Sequence, residues 1–376
     1  MIVLFAIVVV IMTGYLFLTI NPVFGGKRSR KKNSQSLNYS NGKFINTVPT
    51  PMDMNMGTMI GLLRDFMKGN PKRRPSKSIP IKKPDLFQTA PAEQQPSVTW
   101  FGHSAFMLEL NGKRLLLDPM LGKAPSPFPS IGGKRYSKSP PVRAEDLPSI
   151  DAVILSHDHY DHLDYGSILK LKEKVRKFFV PLGVGAHLER WGIDKARITE
   201  LDWWDEGEFE GIRLACTPAR HFSGRSIGDR NSTLWCSWVI EAPQARLYFS
   251  GDSGYGPHFK EIGERFGPFD LTMMECGQYD ERWRNIHMIP EETVQAHLDV
   301  RGKVMIPMHW GAFSLSLHDW TDPIERVSRA SREKGVALST PQMGETVQIN
   351  SDRHPKSAWW RSSDSTIKQE QLLEGN

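Results

Sequence analysis

The seven residues Ser156-His157-Asp158-His159-Tyr160-Asp161-His162 set three imidazoles and two carboxylates directly after the apolar run DAVIL. Similar groups recur after other apolar runs: His221 follows LACTPAR, Asp252 follows LYFSG, and His309 follows VMIPM. Side chains delivered from the ends of several rigid strands can converge on one point. Neutral imidazole and carboxylate are the ligands that suit zinc, iron and similar divalent ions. His157, His159, Asp161, His162, His221, Asp252 and His309 together exceed the need of one tetrahedral ion. The expectation is two divalent metal ions sharing a carboxylate, most simply Zn2+, with Fe or Mn as alternatives. A lone histidine is more often a core or surface residue; H-x-H-x-D-H gathers too many titratable groups for that reading.

The elements that must position these groups are short apolar strands separated by turns, running from Val98 to Ile349. VTWFGHSAFMLEL and RLLLDPML flank Asn111-Gly112, the commonest type I′ hairpin signal. Helices are expected over Leu163 to Lys177, Gly185 to Trp191, Pro257 to Phe266, Pro290 to Val300 and Pro323 to Lys334. Such mixing predicts one αβ domain with layered sheets, over 96–350.

Upstream, MIVLFAIVVVIMTGYLFLTI carries no charge before Asn21, and Lys27, Arg28, Arg30, Lys31 and Lys32 follow it. Twenty helical residues span about 30 Å, so 1–20 is expected to be a single-pass transmembrane anchor. The basic flank then places the body in the cytoplasm and against anionic lipid headgroups. Residues 21–95 read as a basic, Pro/Ser-rich tether, with MGTMIGLLRDFMKG as a short amphipathic helix, and 351–376 as a polar tail. Residues 1–97 hold 14 Lys and Arg against 4 Asp and Glu, leaving 34 against 38 for the rest. The basic character therefore belongs to the tail, and the mildly acidic body argues against nucleic acid as a partner. Cys216, Cys236 and Cys276 form no short-spaced pair and fit a reducing compartment.

The stretches SHDHYDHLDY, FSGDSGY and MHWG, with TWFGHSAFMLEL and IHMIPEETVQAHLDV, resemble the metallo-β-lactamase superfamily. Within it they are most similar to the N-acyl-phosphatidylethanolamine-hydrolysing phospholipase D group. The resemblance implies a four-layer αββα sandwich. It assigns His157, His159 and His221 to one metal, Asp161, His162 and His309 to the other, and Asp252 as the bridge. A water held between two cations would lose its proton near neutral pH and attack phosphorus. Asp161 could also orient that nucleophile. The resemblance further implies cleavage of N-acylphosphatidylethanolamine to N-acylethanolamide and phosphatidic acid, with phospholipid in the membrane as substrate. It leaves a homo-oligomer open. A soluble substrate, such as a sugar-phosphate lactone, another phosphodiester or a nuclease-type substrate, is the alternative.

Supporting residues follow from the need to hold each ligand imidazole in one tautomer. Asp118 could fill that role, with a strand-ending Asp-Pro turn as the plain alternative. The resemblance puts His103 near the site and His287 at the substrate entrance as a proton donor. Lys134, Arg135 and Lys138 lie on a loop that could bind phosphate, although a solvated loop is the simpler reading. Trp203, Trp204, Trp283, Trp310 and Phe313 could line a cleft for acyl chains. Glu275 is an added carboxylate that could repel a phosphate or bind an amine. If the ligand count is right, elemental analysis of protein purified without added metal will give close to two ions per chain. A value near one that Asp252→Ala does not change would overturn the shared-carboxylate arrangement.

Overall fold

The computed structural model describes residues 1–26, 33–52, 55–86, 95–130 and 132–362. Two seven-stranded sheets form its centre. In chain order the first strands are β1 (Tyr39–Ser40) and β2 (Lys43–Phe44), a small separate hairpin, followed by β3 (Ser97–Gly102), β4 (Ala105–Leu110), β5 (Lys113–Leu117), β6 (Ile150–Ile154), β7 (Val175–Pro181) and β8 (Ile198–Leu201). Next come β9 (Glu206–Phe209), β10 (Ile212–Thr217), β11 (Ser237–Ala242), β12 (Ala245–Phe249), β13 (Phe269–Glu275), β14 (Gly302–Met308), β15 (Ala337–Leu338) and β16 (Thr346–Gln348). One sheet has the order β16-β3-β4-β5-β6-β7-β8 and the other β15-β14-β13-β12-β11-β10-β9. The helices are α1 (Ile2–Ile20), α2 (Met56–Lys68), α3 (Tyr165–Leu171), α4 (Gly185–Arg190), α5 (His258–Phe266), α6 (Pro290–Asp299), α7 (Asp322–Glu333) and α8 (Trp359–Ser362).

The two-residue period of a strand decides which core each side chain enters. Along β4, Phe106, Leu108 and Leu110 join the large core that both sheets share, while Ala105 and Met107 point to the core on the other face. That second core packs Ile168 and Leu171 of α3 and Leu188 of α4 against the first sheet. Phe259 and Ile262 of α5, Val294 of α6 and Ile324 and Val327 of α7 pack with the second sheet. Strands buried on both faces read as near-continuous apolar runs, as DAVIL does.

Asn111 and Gly112 both have positive φ, at 50° and 69°, and close the β4–β5 hairpin with Leu110 opposite Lys113. Within VTWFGHSAFMLEL a second tight turn, at Gly102 and His103 (φ 95° and 54°), splits the run into β3 and β4. The helix expected over Leu163 to Lys177 is shorter, because β7 already begins at Val175. The three cysteines are buried and free.

Two expectations for the chain ends change. The apolar N-terminal run does form a helix, but no helix among the described residues is long and apolar enough to cross a membrane. The last turn of α1 is taken up by the body: Arg190 donates to the carbonyls of Thr19 and Ile20, and Phe17 stacks on Phe128 at 5.9 Å. What extends freely, Leu4 to Leu16, spans about 20 Å as a helix against about 30 Å of hydrocarbon. The spanning anchor is therefore not supported, and the argument for a cytoplasmic body, which depended on that span, goes with it. The basic cluster from Lys27 to Lys32 lies outside the described residues.

Parts of the stretch read as a tether, among its described residues, pack on the body. Phe44 is fully buried in the main core, Ile79 and Leu86 are 2% and 3% exposed, and Asn46 exchanges two hydrogen bonds with the His221 backbone, at 2.8 and 3.1 Å. At the other end, Trp359 and Trp360 are buried against Trp310 and Trp100 rather than in a polar tail. Because Leu108 lies wholly inside the shared core, Leu108→Ala should lower stability by about 2–5 kcal/mol in urea unfolding. Ile227→Ala, at a side chain 86% exposed, should shift it by less than about 0.5 kcal/mol.

Candidate metal centre

The chain leaves β5 at Asp118, β6 at Ser156, β10 before His221, β12 before Asp252 and β14 at His309, so the groups meet at one edge of the sandwich. β5 and β6 are parallel, as are β12, β13 and β14, which brings these strand ends to a common side. Gly251 turns the chain into Asp252 with φ +55°, and a Cβ there would lie 2.6 Å from the Cys236 carbonyl. Only glycine fits that approach.

Two groups of ligand atoms result: His157, His159, His221 and Asp252, and His103, Asp161, His162 and His309, each with its atoms within 4.8 Å of one another. Asp252 Oδ2 of the first group also faces the second, lying 3.8 Å from the Nε2 atoms of His157 and His221 and 3.1 and 3.2 Å from those of His162 and His309.

Hydrogen bonds at the far side of three of the rings fix which nitrogen carries the proton. Ser156 Oγ donates to Asp118 Oδ2 at 2.5 Å, so His157 Nδ1 must donate to Ser156 Oγ at 2.8 Å. His221 Nδ1 donates to the Ile286 carbonyl at 2.9 Å, and His162 Nδ1 donates to Asp118 Oδ2 at 2.7 Å. With those protons placed, Nε2 of His157, His162 and His221 is left to offer a lone pair. The lone pairs and the Asp161 and Asp252 carboxylates then face one another across about 3–4 Å, an arrangement that only positive charge can satisfy. Asp252 Oδ1 is buried without a hydrogen-bond partner among the described residues. The residues present therefore fit divalent cations, and the clusters are able to bind metal ions.

The protonation preferences agree. Burial holds His157 and His221 well below the ordinary imidazole range, which keeps both neutral and ligand-competent. Burial opposes charge on His162 too, but Asp252, Asp161 and the Asp118 hydrogen bond outweigh it and raise its pKa well above the ordinary value. A proton is thus favoured where a cation would sit. Burial likewise disfavours ionised Asp161 and Asp252, yet the facing imidazoles, His162 foremost, hold both well below the usual carboxylate range.

Among the expected supporting residues, His103 Nε2 lies 2.8 Å from Asp161 Oδ2, and Asp118 grips the Ser156 amide at 2.7 Å as well as His162. His287 lines a cleft of about 250 Å³ over the ligands, together with Phe222, Trp283, Leu315 and Met52. Arg135 is not at this cleft: its guanidinium donates to the Met120 and Gly122 carbonyls and stacks on Phe313 at 4.5 Å. Of the aromatics expected to line an acyl cleft, Trp283 lines the cleft over the ligands, whereas Trp203 and Trp310 belong to the core and Phe313 packs edge-on against His103. Glu275 does not face substrate. It is fully buried, accepts from the Ser253 amide and meets His287 Nδ1 at 2.5 Å. Burial, then the Asp252 charge, raise its pKa well above the usual range.

Sequence reasoning missed Asp158, which turns away from the ligands and binds His187, Thr233 and the Gly224 amide. It also missed Met52, which reaches the cleft from the N-terminal stretch. The surplus aspartate within SHDHYDH was the available signal for the first; nothing in the local sequence marks the second.

A family described as beta-lactamase superfamily domain matches residues 113–310. The chain belongs to the metallo-β-lactamase superfamily. It is a metal-dependent hydrolase of that superfamily. An uncharacterized protein of Mycobacterium tuberculosis is 41% identical over 339 residues, covering 88% of this chain and 89% of that one. The N-acyl-phosphatidylethanolamine-hydrolyzing phospholipase D 1 of Caenorhabditis elegans is 35% identical over 272 residues, 68% of this chain and 76% of that protein. The structure of an isothiocyanate hydrolase from Delia radicum gut bacteria is 22% identical with a TM-score of 0.53, covering 67% of this chain and 98% of that one, and shows the shared fold. In this superfamily member, removing the carboxylate that orients His162 and Ser156 should weaken the centre. Asp118→Ala is expected to lower metal affinity about 10–100-fold in chelator competition. An unchanged affinity would mean that Asp118 only ends its strand.

Proposed function

We propose that the chain is a binuclear phosphodiesterase of the phospholipase D type, hydrolysing N-acylphosphatidylethanolamine to N-acylethanolamide and phosphatidic acid. The observation that carries this reading is the helix beside the cleft. Met56, Met59, Ile60, Leu63, Phe66 and Met67 of α2 recur at helical spacing, and all are exposed, between 49% and 73%. Asp65 ties the helix to Arg282 at 3.1 Å, next to the cleft residue Trp283. An amphipathic helix with its apolar stripe outward is suited to lie in a lipid interface. Acyl chains could then stay in the lipid while the headgroup enters the cleft. The Caenorhabditis elegans relative, by its name, supports the same substrate. The apolar α1 and the basic Lys27–Lys32 flank would add to such contact from the membrane surface, with anionic headgroups as partners, without a span.

His157, His159 and His221 would hold one cation, Asp161, His162 and His309 the other, and Asp252 both. The cations, with zinc, iron or manganese all compatible, would supply Lewis-acid charge and acidify bound water. His103 and Asp118 keep the ligand rings and Asp161 in place. Glu275, which favours its proton, would donate to His287 Nδ1, so the neutral ring would carry a proton on Nε2, give it to the leaving alkoxide and take the Glu275 proton at Nδ1. Phe222, Trp283 and Leu315 supply apolar surface beside that transfer.

The test uses mixed micelles of N-acylated phospholipid, ordinary phospholipid and a soluble phosphodiester. Wild type should turn over the N-acylated lipid and His159→Ala none of the three. Leu63→Glu with Phe66→Glu should cut lipid turnover about tenfold or more, leaving the soluble ester unaffected. Turnover of the soluble ester alone by wild type would overturn the lipid reading in favour of a soluble substrate.

A further inference from the structure

A second cavity, of about 680 Å³, shares no lining residue with the metal cleft. Its wall combines apolar groups, Leu121, Pro129 and Pro140 among them, with an excess of cations. Arg135 is the unusual member. It is only 8% exposed, every acceptor it reaches is a neutral backbone carbonyl, and its Nη1 has no partner among the described residues. Burial lowers its pKa to about 10, which still leaves the guanidinium charged at neutral pH. The Asp164 charge nearby offsets part of that burial, but no carboxylate bonds the guanidinium directly, and a buried cation so placed is costly.

The acidic groups around the cavity are engaged elsewhere. Asp164 caps α3, accepting from the Ser167 amide and hydroxyl at 2.8 and 2.6 Å. Glu145 pairs with Lys170 at 2.8 Å, and Arg143, also in the wall, pairs with Asp146 at 2.6 Å. Lys123, Lys134 and Lys138 line the same cavity, are exposed, and have no carboxylate partner among the described residues. The result is an apolar-walled space with a lysine-rich mouth and, in its wall, a buried guanidinium hydrogen-bonded only to neutral carbonyls. Nothing in the chemistry of the metal centre uses it.

We propose that this cavity binds a phosphate group carrying an apolar substituent, with Lys123, Lys134 and Lys138 at the phosphate and Leu121, Pro129 and Pro140 along the substituent. The phosphate could belong to a lipid or to a soluble phosphate ester, and the shared chemistry is a phosphate beside an apolar group. The site stands independently of the substrate proposed for the metal centre.

Titration calorimetry of the metal-loaded full chain with hexyl phosphate and with inorganic phosphate tests it. Hexyl phosphate should bind at this site in wild type and equally in His159→Ala, where the metal centre is impaired. Lys134→Glu with Lys138→Glu, at two exposed positions, should weaken that binding about tenfold or more while metal content stays as in wild type. Inorganic phosphate should bind at least about tenfold more weakly than hexyl phosphate, and equal binding overturns the role of the apolar wall. Binding that the lysine reversals leave unchanged, or that disappears in His159→Ala, overturns the proposal.

Discussion

The buried Asp118 carboxylate is the constraint on which the metal centre depends. One oxygen accepts the Ser156 amide, and the other accepts the Ser156 hydroxyl and His162 Nδ1. Through Ser156 it also fixes His157. One side chain at the end of β5 thereby sets the direction of two imidazoles, one in each ligand group, and the path of the loop that carries them. All its partners are buried, so each bond is shielded from water and costly to leave unmade. The parallel pairing of β5 and β6 brings the two strand ends into register, and Asp118 converts that register into ligand geometry.

The centre is also electrostatically incomplete as a set of side chains. Carboxylates and imidazole lone pairs oppose one another at about 3–4 Å, and Asp252 Oδ1 is buried without a partner among the described residues. A fold can hold such a cluster only because two sheets and their shared core supply rigidity from outside it. The same logic explains Glu275 and His287. A carboxyl buried beside Asp252 favours its proton, and a ring nitrogen at 2.5 Å gives that proton somewhere to be shared.

Much of this was legible in the sequence because it is local. The two-residue alternation, the Asn111-Gly112 turn and the clustered ligands of SHDHYDH are each written within a few positions. Asp118 could be anticipated from its place at a strand end, although its double grip on Ser156 and His162 could not. What escaped was long-range. Glu275 reads as an acid near the cleft that could meet a headgroup and is in fact fully buried behind His287. Arg135 reads as part of a solvated or phosphate-binding loop and is instead buried at a different cavity. The apolar opening run reads as a membrane span by composition, because composition cannot see Arg190 and Phe128 taking up its last turn.

The N-terminal stretch from Phe44 to Met52 runs along the ligand loops, bonding the backbone of His221 and lining the cleft, yet it contributes no ligand. It precedes the first strand of the sandwich in the chain and is built outside the matched family domain. Chemistry and access are therefore encoded in separable lengths of polypeptide. A lineage could exchange this outer strip, and with it the shape of molecule admitted, while every residue that holds a cation stays as it is.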